Sequence, residues 1–328
     1  MKYVNFGNSG VKVSPIALGL GLRGQSDASE AEKLIRSSID MGVNLIDCAN
    51  VYGLLDDRIN SGSSEKILGK VLKSCRDDVV ITTKVTSPTG ILPNDRGSSR
   101  FHIMREVERS LKRLNTDHID VYILHSPDDS TPLEEIIRAM DDLVRAGKIL
   151  YPGCSNYKAW QIYRALSIAE KSNSAPFITM QNSYSLIHRQ LEEEHFSLAK
   201  HSGVGIMAYS PIGIGILSGA YDHKRKPDSE NVWNKNTRLK NIYSNVMNEQ
   251  TIELIEMVRN IAEQHNATPA QISLSWVLSH PEISVAISGP DNDEQMKESL
   301  GALDIKLTEK QLEDLNNKSK GLNLLGQF

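Results

Sequence analysis

The feature that most constrains the fold is a repeated alternation of short apolar runs with longer segments of helical period. Eight such runs occur along the chain. They are PIALGLG (15–21), VNLID (43–47), VVITTK (79–84), IDVYILH (119–125), ILYPGCS (149–155), FITMQN (177–182), VGIMAYS (204–210) and SVAISG (284–289). Between them, apolar residues recur three or four positions apart, which is typical of amphipathic helices. Short buried strands that are each followed by a helix pair in parallel.

Eight strand–helix units within 328 residues favour a closed (β/α)8 TIM barrel over an open doubly wound sheet. An open sheet of the nucleotide-binding kind normally has a GxGxxG turn after its first strand, and the first run here is not followed by one. The N-terminal segment alternates around Asn8-Ser9-Gly10, which predicts a β-hairpin that closes the barrel bottom. We predict one domain over residues 1–328, in which the polar stretch 221–248 is a long loop.

Composition and charge narrow the class of partner. The net charge of −4 and the mixed distribution of charged residues leave no broad basic face for a nucleic acid, so a small molecule is the expected partner. The cysteines show neither metal-ligand spacing nor a paired framework, which indicates a reducing compartment without a metal site; they are Cys48, Cys75 and Cys154. The N-terminus lacks a signal-peptide core and no run is long enough to span a membrane, so we expect a cytoplasmic protein. Association with further copies of itself is left open.

Several apolar runs end in, or are followed by, side chains that can do chemistry. Asp47 ends the second run, Lys84 the third and His125 the fourth, while Tyr52 follows Asp47 after a short turn. In a barrel of this kind the active site is built from the carboxyl ends of the strands. Isolated polar residues at strand ends are usually solvated, but four ionisable groups at one barrel mouth indicate a functional site.

The types of these four residues suit the reduction of a carbonyl group. An ammonium next to a phenol favours the phenolate, and Lys84 can supply it to Tyr52. Asp47 would hold Lys84 in place, while His125 could donate a hydrogen bond to a substrate oxygen and Tyr52 could act as general acid. An alternative is a barrel aldolase with Lys84 as a Schiff base, which needs a lowered lysine pKa that pairing with Asp47 opposes.

The chain also resembles the aldo-keto reductase superfamily along nearly its whole length. The segments that show the resemblance are GVNLIDCANVYG, VVITTKV, SLKRLNTDHIDVYILH, AGKILYPGCSN, MQNSYSLIHR, MAYSPIGIGILSG and AISGPDNDEQMKESLGAL. The resemblance implies that Asp47, Tyr52, Lys84 and His125 form the family's catalytic tetrad. It further implies a barrel that binds NADP(H) or NAD(H) across its strand ends and transfers hydride between the nicotinamide and an aldehyde or ketone.

The resemblance also implies a set of contacts along the cofactor. The carboxamide would be held by Ser155, Asn156 and Gln181, and the nicotinamide ring would stack on Tyr209. Small residues would let the backbone approach the pyrophosphate in the loop that contains Ser210, Gly213, Gly215, Leu217 and Gly219. The adenosine end would contact Gly289, Asp291, Gln295, Glu298 and Ser299, together with Arg238.

Four features bear on specificity and on the alternatives. Family members that use the phosphorylated cofactor usually have a neutral or basic residue where Asp291 stands. An anion there would repel a 2′-phosphate, which favours NAD(H). The connection after Tyr52 is long, and its Asp56, Asp57 or Arg58 could touch a polar substrate. Trp233 could cover that substrate.

The same superfamily includes proteins similar to channel β-subunits, so a cofactor-binding regulatory module with little turnover is the alternative function.

Overall fold

The strands of this chain form a closed barrel with a small hairpin beside it. We describe them from a computed structural model, which covers residues 1–56, 62–222, 225–229 and 231–325. The hairpin pairs β1 (Val4–Asn5) and β2 (Lys12–Val13) antiparallel. The barrel strands are β3 (Ile16–Gly19), β4 (Leu45–Asp47), β5 (Val80–Val85), β6 (Ile119–Leu124), β7 (Ile149–Ser155), β8 (Thr179–Ser183), β9 (Gly205–Tyr209) and β10 (Ile283–Ser288). They are parallel in chain order and β10 closes on β3, which confirms the predicted (β/α)8 barrel and its N-terminal hairpin.

Helices surround the barrel and cover the outer face of its strands. They are α1 (Ala28–Asp40), α2 (Ser63–Leu72), α3 (Arg100–Leu114), α4 (Leu133–Arg145), α5 (Ala159–Ser172), α6 (His195–Ser202), α7 (Val232–Lys235), α8 (Thr237–Val246), α9 (Glu249–Gln264), α10 (Pro269–Leu278), α11 (Asp293–Gly301) and α12 (Glu309–Ser319). Within the described residues, no helix is both long and apolar enough to cross a membrane.

Strand residues alternate between two apolar clusters. In β3, Ile16 and Leu18 pack outward against the helices, whereas Ala17 points into the barrel interior. The same alternation separates Leu45 from Ile46 in β4. Because both faces of each strand are buried, the strands appear in the sequence as continuous apolar runs.

The hairpin closes the end of the barrel at which the strands begin. Phe6 is fully buried in the interior cluster. Gly7 has a φ of 60°, and a Cβ at that position would lie 2.1 Å from the carbonyl oxygen of Ile178, so only glycine fits there. Since Ile178 directly precedes β8, the hairpin fills the amino end, and the carboxyl end of the barrel stays open for chemistry.

The polar stretch 221–248 is not a loop throughout, so that part of the prediction is wrong. It contains α7 and α8, whose N-caps are Asn231 and Asn236. Each asparagine side chain accepts a hydrogen bond from a backbone N–H of the first helical turn. Both helices are short and mostly polar, so neither produces the apolar period by which the longer helices were recognised.

A buried charge network joins two helices to β5. Arg113 of α3 donates to Glu65 of α2 at 2.6 Å and to Glu106 of α3 at 2.7 Å, and both carboxylates are fully buried. Thr83 of β5 donates to Glu65 at 2.6 Å. Arg109 adds a second positive charge, 3.3 Å from Glu106, so two guanidinium groups balance two carboxylates that would otherwise be costly to bury. The network fixes the strand immediately before Lys84.

Candidate active site

An ion pair lies at the carboxyl end of the barrel. Lys84 is completely buried, and its Nζ lies 2.8 Å from both carboxylate oxygens of Asp47 and 2.8 Å from the carbonyl oxygen of Cys48. Burial by itself disfavours the ammonium, but the negative charge of Asp47 and the nearby Tyr52 outweigh it, so the pKa of Lys84 is raised above its usual value. The lysine is a fixed cation, and this contradicts the aldolase alternative, which needs a neutral amine.

Asp47 is held from two further directions. Thr82 of β5 donates its hydroxyl to Oδ1, and Gln181 of β8 donates its Nε2 to the same oxygen at 2.8 Å. Together with Lys84, these groups satisfy a carboxylate that is 3% exposed. Gln181, for which the resemblance implies a contact to a carboxamide, therefore commits its amide nitrogen to Asp47 and keeps Oε1 for another partner.

Tyr52 returns to this ion pair through the turn that follows β4. Its N–H donates to the carbonyl of Ala49 at 3.2 Å, and its own carbonyl accepts from Ser64 at the start of α2 at 3.1 Å. The Nζ of Lys84 lies 4.9 Å from the centre of the Tyr52 ring, and the phenol oxygen lies 3.5 Å from Nε2 of His125. The four residues of the predicted tetrad therefore lie in one group.

His125 follows β6 and is fixed by its backbone. Its N–H donates to the carbonyl of Val85 at 2.8 Å, and its carbonyl accepts from Nδ2 of Asn156 at 3.1 Å. Its Nδ1 lies 3.1 Å from the hydroxyl of Ser87. Sequence reasoning missed Ser87, because a serine three positions after Lys84 carries no pattern that points to a histidine on another strand.

The ends of β7, β8 and β9 are connected by side-chain hydrogen bonds. Ser155 donates to the carbonyl of Gln181 at 2.7 Å, and Asn156 donates to the Ser155 hydroxyl at 3.2 Å. The phenol of Tyr209 donates to Oδ1 of Asn156 at 2.9 Å. These contacts fix the Tyr209 ring at the barrel mouth beside the tetrad's His125, whose carbonyl Asn156 also binds.

The loop after β9 has an unusual backbone. Positive φ values occur at Ser210 (53°), Gly213 (59°), Ile214 (54°), Gly215 (83°) and Gly219 (76°). Successive backbone N–H groups in turn conformations can form a concave nest that binds anions. Within the described residues, the N–H groups of Ile214 and Gly215 have no acceptor. The predicted loop residue Leu217 is different, because its side chain is buried and its N–H bonds to the carbonyl of Ile212 at 3.1 Å.

Trp233 braces this loop from beneath and does not cover the barrel mouth, so its predicted role as a substrate cover is wrong. Its side chain is 1% exposed and its indole N–H donates to the carbonyl of Ile214 at 2.9 Å. Ile214 is β-branched, and a positive φ is rare for such a residue. A neighbouring group must therefore hold it there, and the indole does so.

The remaining predicted positions cluster around the end of β10 and the start of α11. The Asp291 N–H donates to Oε1 of Gln295 at 2.7 Å, and the Ser299 hydroxyl pairs with that of Ser288 at 2.8 Å. The Asp291 carboxylate lies against Gly24, whose missing Cβ would fall 2.2 Å from Oδ1. Burial against this loop raises the pKa of Asp291, and the Gly24 N–H opposes that rise.

Three predicted residues lie at the edges of this arrangement. The Glu298 carbonyl accepts from Gln271 at 2.9 Å, and Arg238 lies on the exposed side of the first turn of α8. A Cβ at Gly289 would be in ordinary van der Waals contact with the carbonyl oxygen of Gly19, at 3.8 Å. Of the connection after Tyr52, Asp57 and Arg58 lie outside the described residues, and Leu54–Asp56 forms a short 3-10 helix.

Comparison with known proteins decides the family. The model of the Aldo/keto reductase family matches residues 15–320. The chain belongs to this family. It is 33% identical to a probable voltage-gated potassium channel subunit beta of Arabidopsis thaliana, over 93% of this chain and 92% of that protein. It is also 33% identical to an uncharacterized oxidoreductase, YrpG, of Bacillus subtilis, over 97% of this chain and 95% of that protein.

A third relative is a putative voltage-gated potassium channel subunit beta of Schizosaccharomyces pombe, 34% identical over 92% of this chain and 88% of that protein. This aldo/keto reductase is an NAD(P)-dependent oxidoreductase, and enzymes of the family use nicotinamide cofactors, generally NADPH.

The residues of this aldo/keto reductase fit a dinucleotide at the barrel mouth. The N–H groups of Ile214 and Gly215 suit a pyrophosphate, which is an anion that backbone nests bind. A Cβ on Gly289 would come no closer than 3.8 Å to another atom, and none would come within 4 Å of one on Gly21. The surface above the ends of β3 and β10 therefore leaves room for a ligand to approach the backbone.

The cysteines near this site are packing residues. Cys48 and Cys154 are fully buried, and burial raises the pKa of both thiols. Raising the pKa suppresses the thiolate, which is the nucleophilic form.

Proposed function

We propose that this aldo/keto reductase interconverts a carbonyl and an alcohol on a small polar, sugar-like substrate, with Tyr52 as the general acid or base. The observation that supports this proposal most is the position of the Tyr52 phenol, 3.5 Å from the His125 imidazole and beside the buried Lys84 ammonium. A bound nicotinamide would supply or accept the hydride. Tyr52 would deliver a proton to the carbonyl oxygen during reduction and remove it during oxidation.

The other members of the tetrad support this proton transfer without reacting themselves. Lys84 places a positive charge beside the Tyr52 ring, where it would stabilise the negative charge that develops on the phenol oxygen during proton transfer. Asp47 keeps that charge in position through two contacts of 2.8 Å. His125 would donate a hydrogen bond to the substrate oxygen and so orient the carbonyl.

We assign the cofactor contacts to the residues that the family resemblance implies. Asn156 and Gln181, with Ser155, lie together at the ends of β7 and β8. Their amide nitrogens already donate within the protein, so their amide oxygens would accept from the carboxamide NH₂. Tyr209 offers a flat ring whose hydroxyl is already anchored to Asn156. The nest around Ile214 and Gly215 would hold the pyrophosphate. The adenosine would lie near Gly289 and Asp291.

We further propose that the preferred cofactor is NAD(H). The support is the carboxylate of Asp291, which lies at the rim of the open surface above β10 and against the loop at Gly24. A 2′-phosphate in that position would face a like charge, and like charges at close range repel. The ribose hydroxyl of NAD(H) would instead be able to donate a hydrogen bond to the carboxylate.

The test uses the purified full-length protein with NADH and NADPH separately. Cofactor binding is measured by calorimetry, and turnover by loss of nicotinamide absorbance against aldehydes, ketones and aldoses. We expect binding of NADH and turnover of at least one carbonyl. Tyr52→Phe should lower kcat by a factor of about 10² to 10⁴ and leave the cofactor Kd nearly unchanged, because only proton transfer is lost. A chain that binds neither cofactor, or a Tyr52→Phe variant with full turnover, would refute the proposal.

A second candidate function is a cofactor-binding regulatory subunit. The observation that favours it is the match to relatives from Arabidopsis thaliana and Schizosaccharomyces pombe named as potassium channel beta subunits, over 92% and 88% of their lengths. The two candidates share the cofactor contacts and differ in turnover. Tight cofactor binding with no reduction of any carbonyl in the panel would favour the regulatory function.

A further inference from the structure

We propose that Ser87 positions His125 by bonding to its Nδ1, so that the neutral ring carries its proton on Nε2 and presents an N–H to the substrate oxygen. This inference rests on the proposed reduction of a carbonyl. Ser87 does not contact Tyr52 or Lys84 by any described hydrogen bond, so it acts through His125 and is a positioning residue. Its hydroxyl has one hydrogen-bond partner among the described residues, and that partner is Nδ1 of His125 at 3.1 Å.

The backbone before Ser87 is held in an unfavourable conformation. Thr86 has a φ of 101°, which residues with a Cβ rarely adopt, and threonine is also β-branched. Its carbonyl accepts from the Gly97 N–H at 2.8 Å, and its hydroxyl pairs with that of Ser98 at 3.0 Å. Such strain persists only where surrounding contacts impose it, and it concentrates at functional sites. Here it turns the chain after β5 so that Ser87 reaches the end of β6.

The rest of His125 is already fixed by its neighbours. The His125 N–H is bonded to Val85, and its carbonyl is bonded to Asn156. These contacts set the position of the His125 backbone. The orientation of its ring therefore depends on the groups that its two nitrogens bind. The group bonded to one ring nitrogen determines whether the other is a donor or an acceptor.

A serine at this position has a chemical consequence that a carboxylate would not have. A carboxylate accepts only, so it would require a proton on Nδ1 and would favour the imidazolium. A hydroxyl can donate to Nδ1, which places the single proton of the neutral ring on Nε2. That nitrogen is the one 3.5 Å from the Tyr52 oxygen, so the donor faces the place where the tyrosine transfers its proton. Ser87 thereby supplies a donor without adding a charge.

The experiment compares three variants of the full-length protein. Ser87→Ala removes the hydroxyl, and Ser87→Thr retains it. Thr89→Val is the matched control, because it removes a hydroxyl of the same loop that bonds to the Asp95 carbonyl at 3.3 Å and does not contact His125. Nitrogen-15 shifts of the His125 ring report the tautomer in each protein with cofactor bound, and steady-state kinetics report kcat and KM.

We expect Ser87→Ala to lower kcat by a factor of about 10 to 100, which is the size of effect seen when the partner that orients a metal-bound histidine is removed. The cofactor Kd should not change, and the ring should lose its preference for a proton on Nε2. Ser87→Thr should recover both kcat and tautomer, and Thr89→Val should resemble the unmodified protein. An unchanged tautomer in Ser87→Ala, or a fall in kcat that only follows the folded fraction, would overturn the inference.

The tautomer measurement separates this inference from the proposed function. If the unmodified protein reduces no carbonyl, the proposed reaction fails. The nitrogen-15 shifts would still show whether Ser87 sets the protonation of His125.

Discussion

The indole N–H of Trp233 and the carbonyl oxygen of Ile214 are joined by a hydrogen bond of 2.9 Å, and Ile214 has a φ of 54°. A buried aromatic residue in one segment therefore holds a strained backbone position in another. Ile214 and its neighbour Gly215 carry the N–H groups that we propose bind the pyrophosphate. Affinity for the cofactor should thus depend on a residue that does not touch it.

Trp233→Phe should weaken cofactor binding about fivefold, because a hydrogen bond of this kind contributes about 1 kcal/mol and phenylalanine keeps most of the packing. Calorimetry with NADH measures the change. Trp276→Phe is the matched control, since Trp276 is equally buried and its indole donates to Asn316 at 3.0 Å, between α10 and α12. The control should lose stability and keep its cofactor affinity. Equal cofactor affinities of the Trp233 variant and the unmodified protein would contradict the idea that the Trp233 indole supports the backbone at Ile214.

Asp47→Asn and Lys84→Met should differ in their effect on folding, although both should abolish turnover. Asp47→Asn leaves a completely buried ammonium without a counter-charge, which costs about 3–5 kcal/mol in the free energy of unfolding. Lys84→Met removes the ammonium and leaves Asp47 with the donors Thr82 and Gln181, so we expect a smaller loss. Urea unfolding measures both values. Equal losses of unfolding free energy in the two variants would show that Thr82 and Gln181 do not compensate Asp47 for the missing ammonium.

Asp291→Ser should raise the ratio of kcat/KM with NADPH to that with NADH by roughly fivefold, because removing a like charge at close range is worth about 1 kcal/mol in water. Asp293→Ser is the control: it removes an equal charge two residues away, where the carboxylate accepts from Ser37 at 2.6 Å. The pKa of Asp291 is raised by burial, so protonation should remove its charge as the pH falls. The preference for NADH over NADPH should therefore weaken at low pH, and Asp291→Ser should not show this pH dependence. An unchanged ratio would refute the assignment.

His188 should make the protein sensitive to acid. Burial lowers the pKa of His188 from 6.5 to about 4. The unfolded chain therefore binds a proton that the folded chain resists, and stability should fall by about 3 kcal/mol between pH 6.5 and pH 4 from this group. His188→Gln should reduce the slope of unfolding free energy against pH, whereas substitution of the exposed His201 should not. Parallel slopes for the His188 variant and the unmodified protein would contradict the prediction.

The barrel was predictable from the sequence because its strands are buried on both faces and therefore appear as eight apolar runs. Asp47, Lys84 and His125 were predictable as a group because strand ends meet at one edge of a parallel barrel. Each of these features leaves a local pattern in the chain.

The features that the sequence did not predict depend on contacts between distant segments. No local pattern shows that Thr86 has a positive φ, because the Gly97 N–H and the Ser98 hydroxyl impose it from the far side of a loop. Trp233 lies in a polar segment, so its burial beneath Ile214 could not be inferred from its neighbours.

Asp47 accepts hydrogen bonds from Thr82 and Lys84 of β5 and from Gln181 of β8, which lie on different sides of the barrel. The carboxylate to which we assign a role in the reaction therefore also ties the wall of the barrel together. Active-site residues are often replaceable with a gain in stability, because selection has kept them for activity alone. Asp47 differs, because its loss would leave the buried Lys84 ammonium unpaired. A variant of this fold that had lost catalysis but kept Lys84 would still need this aspartate for its stability.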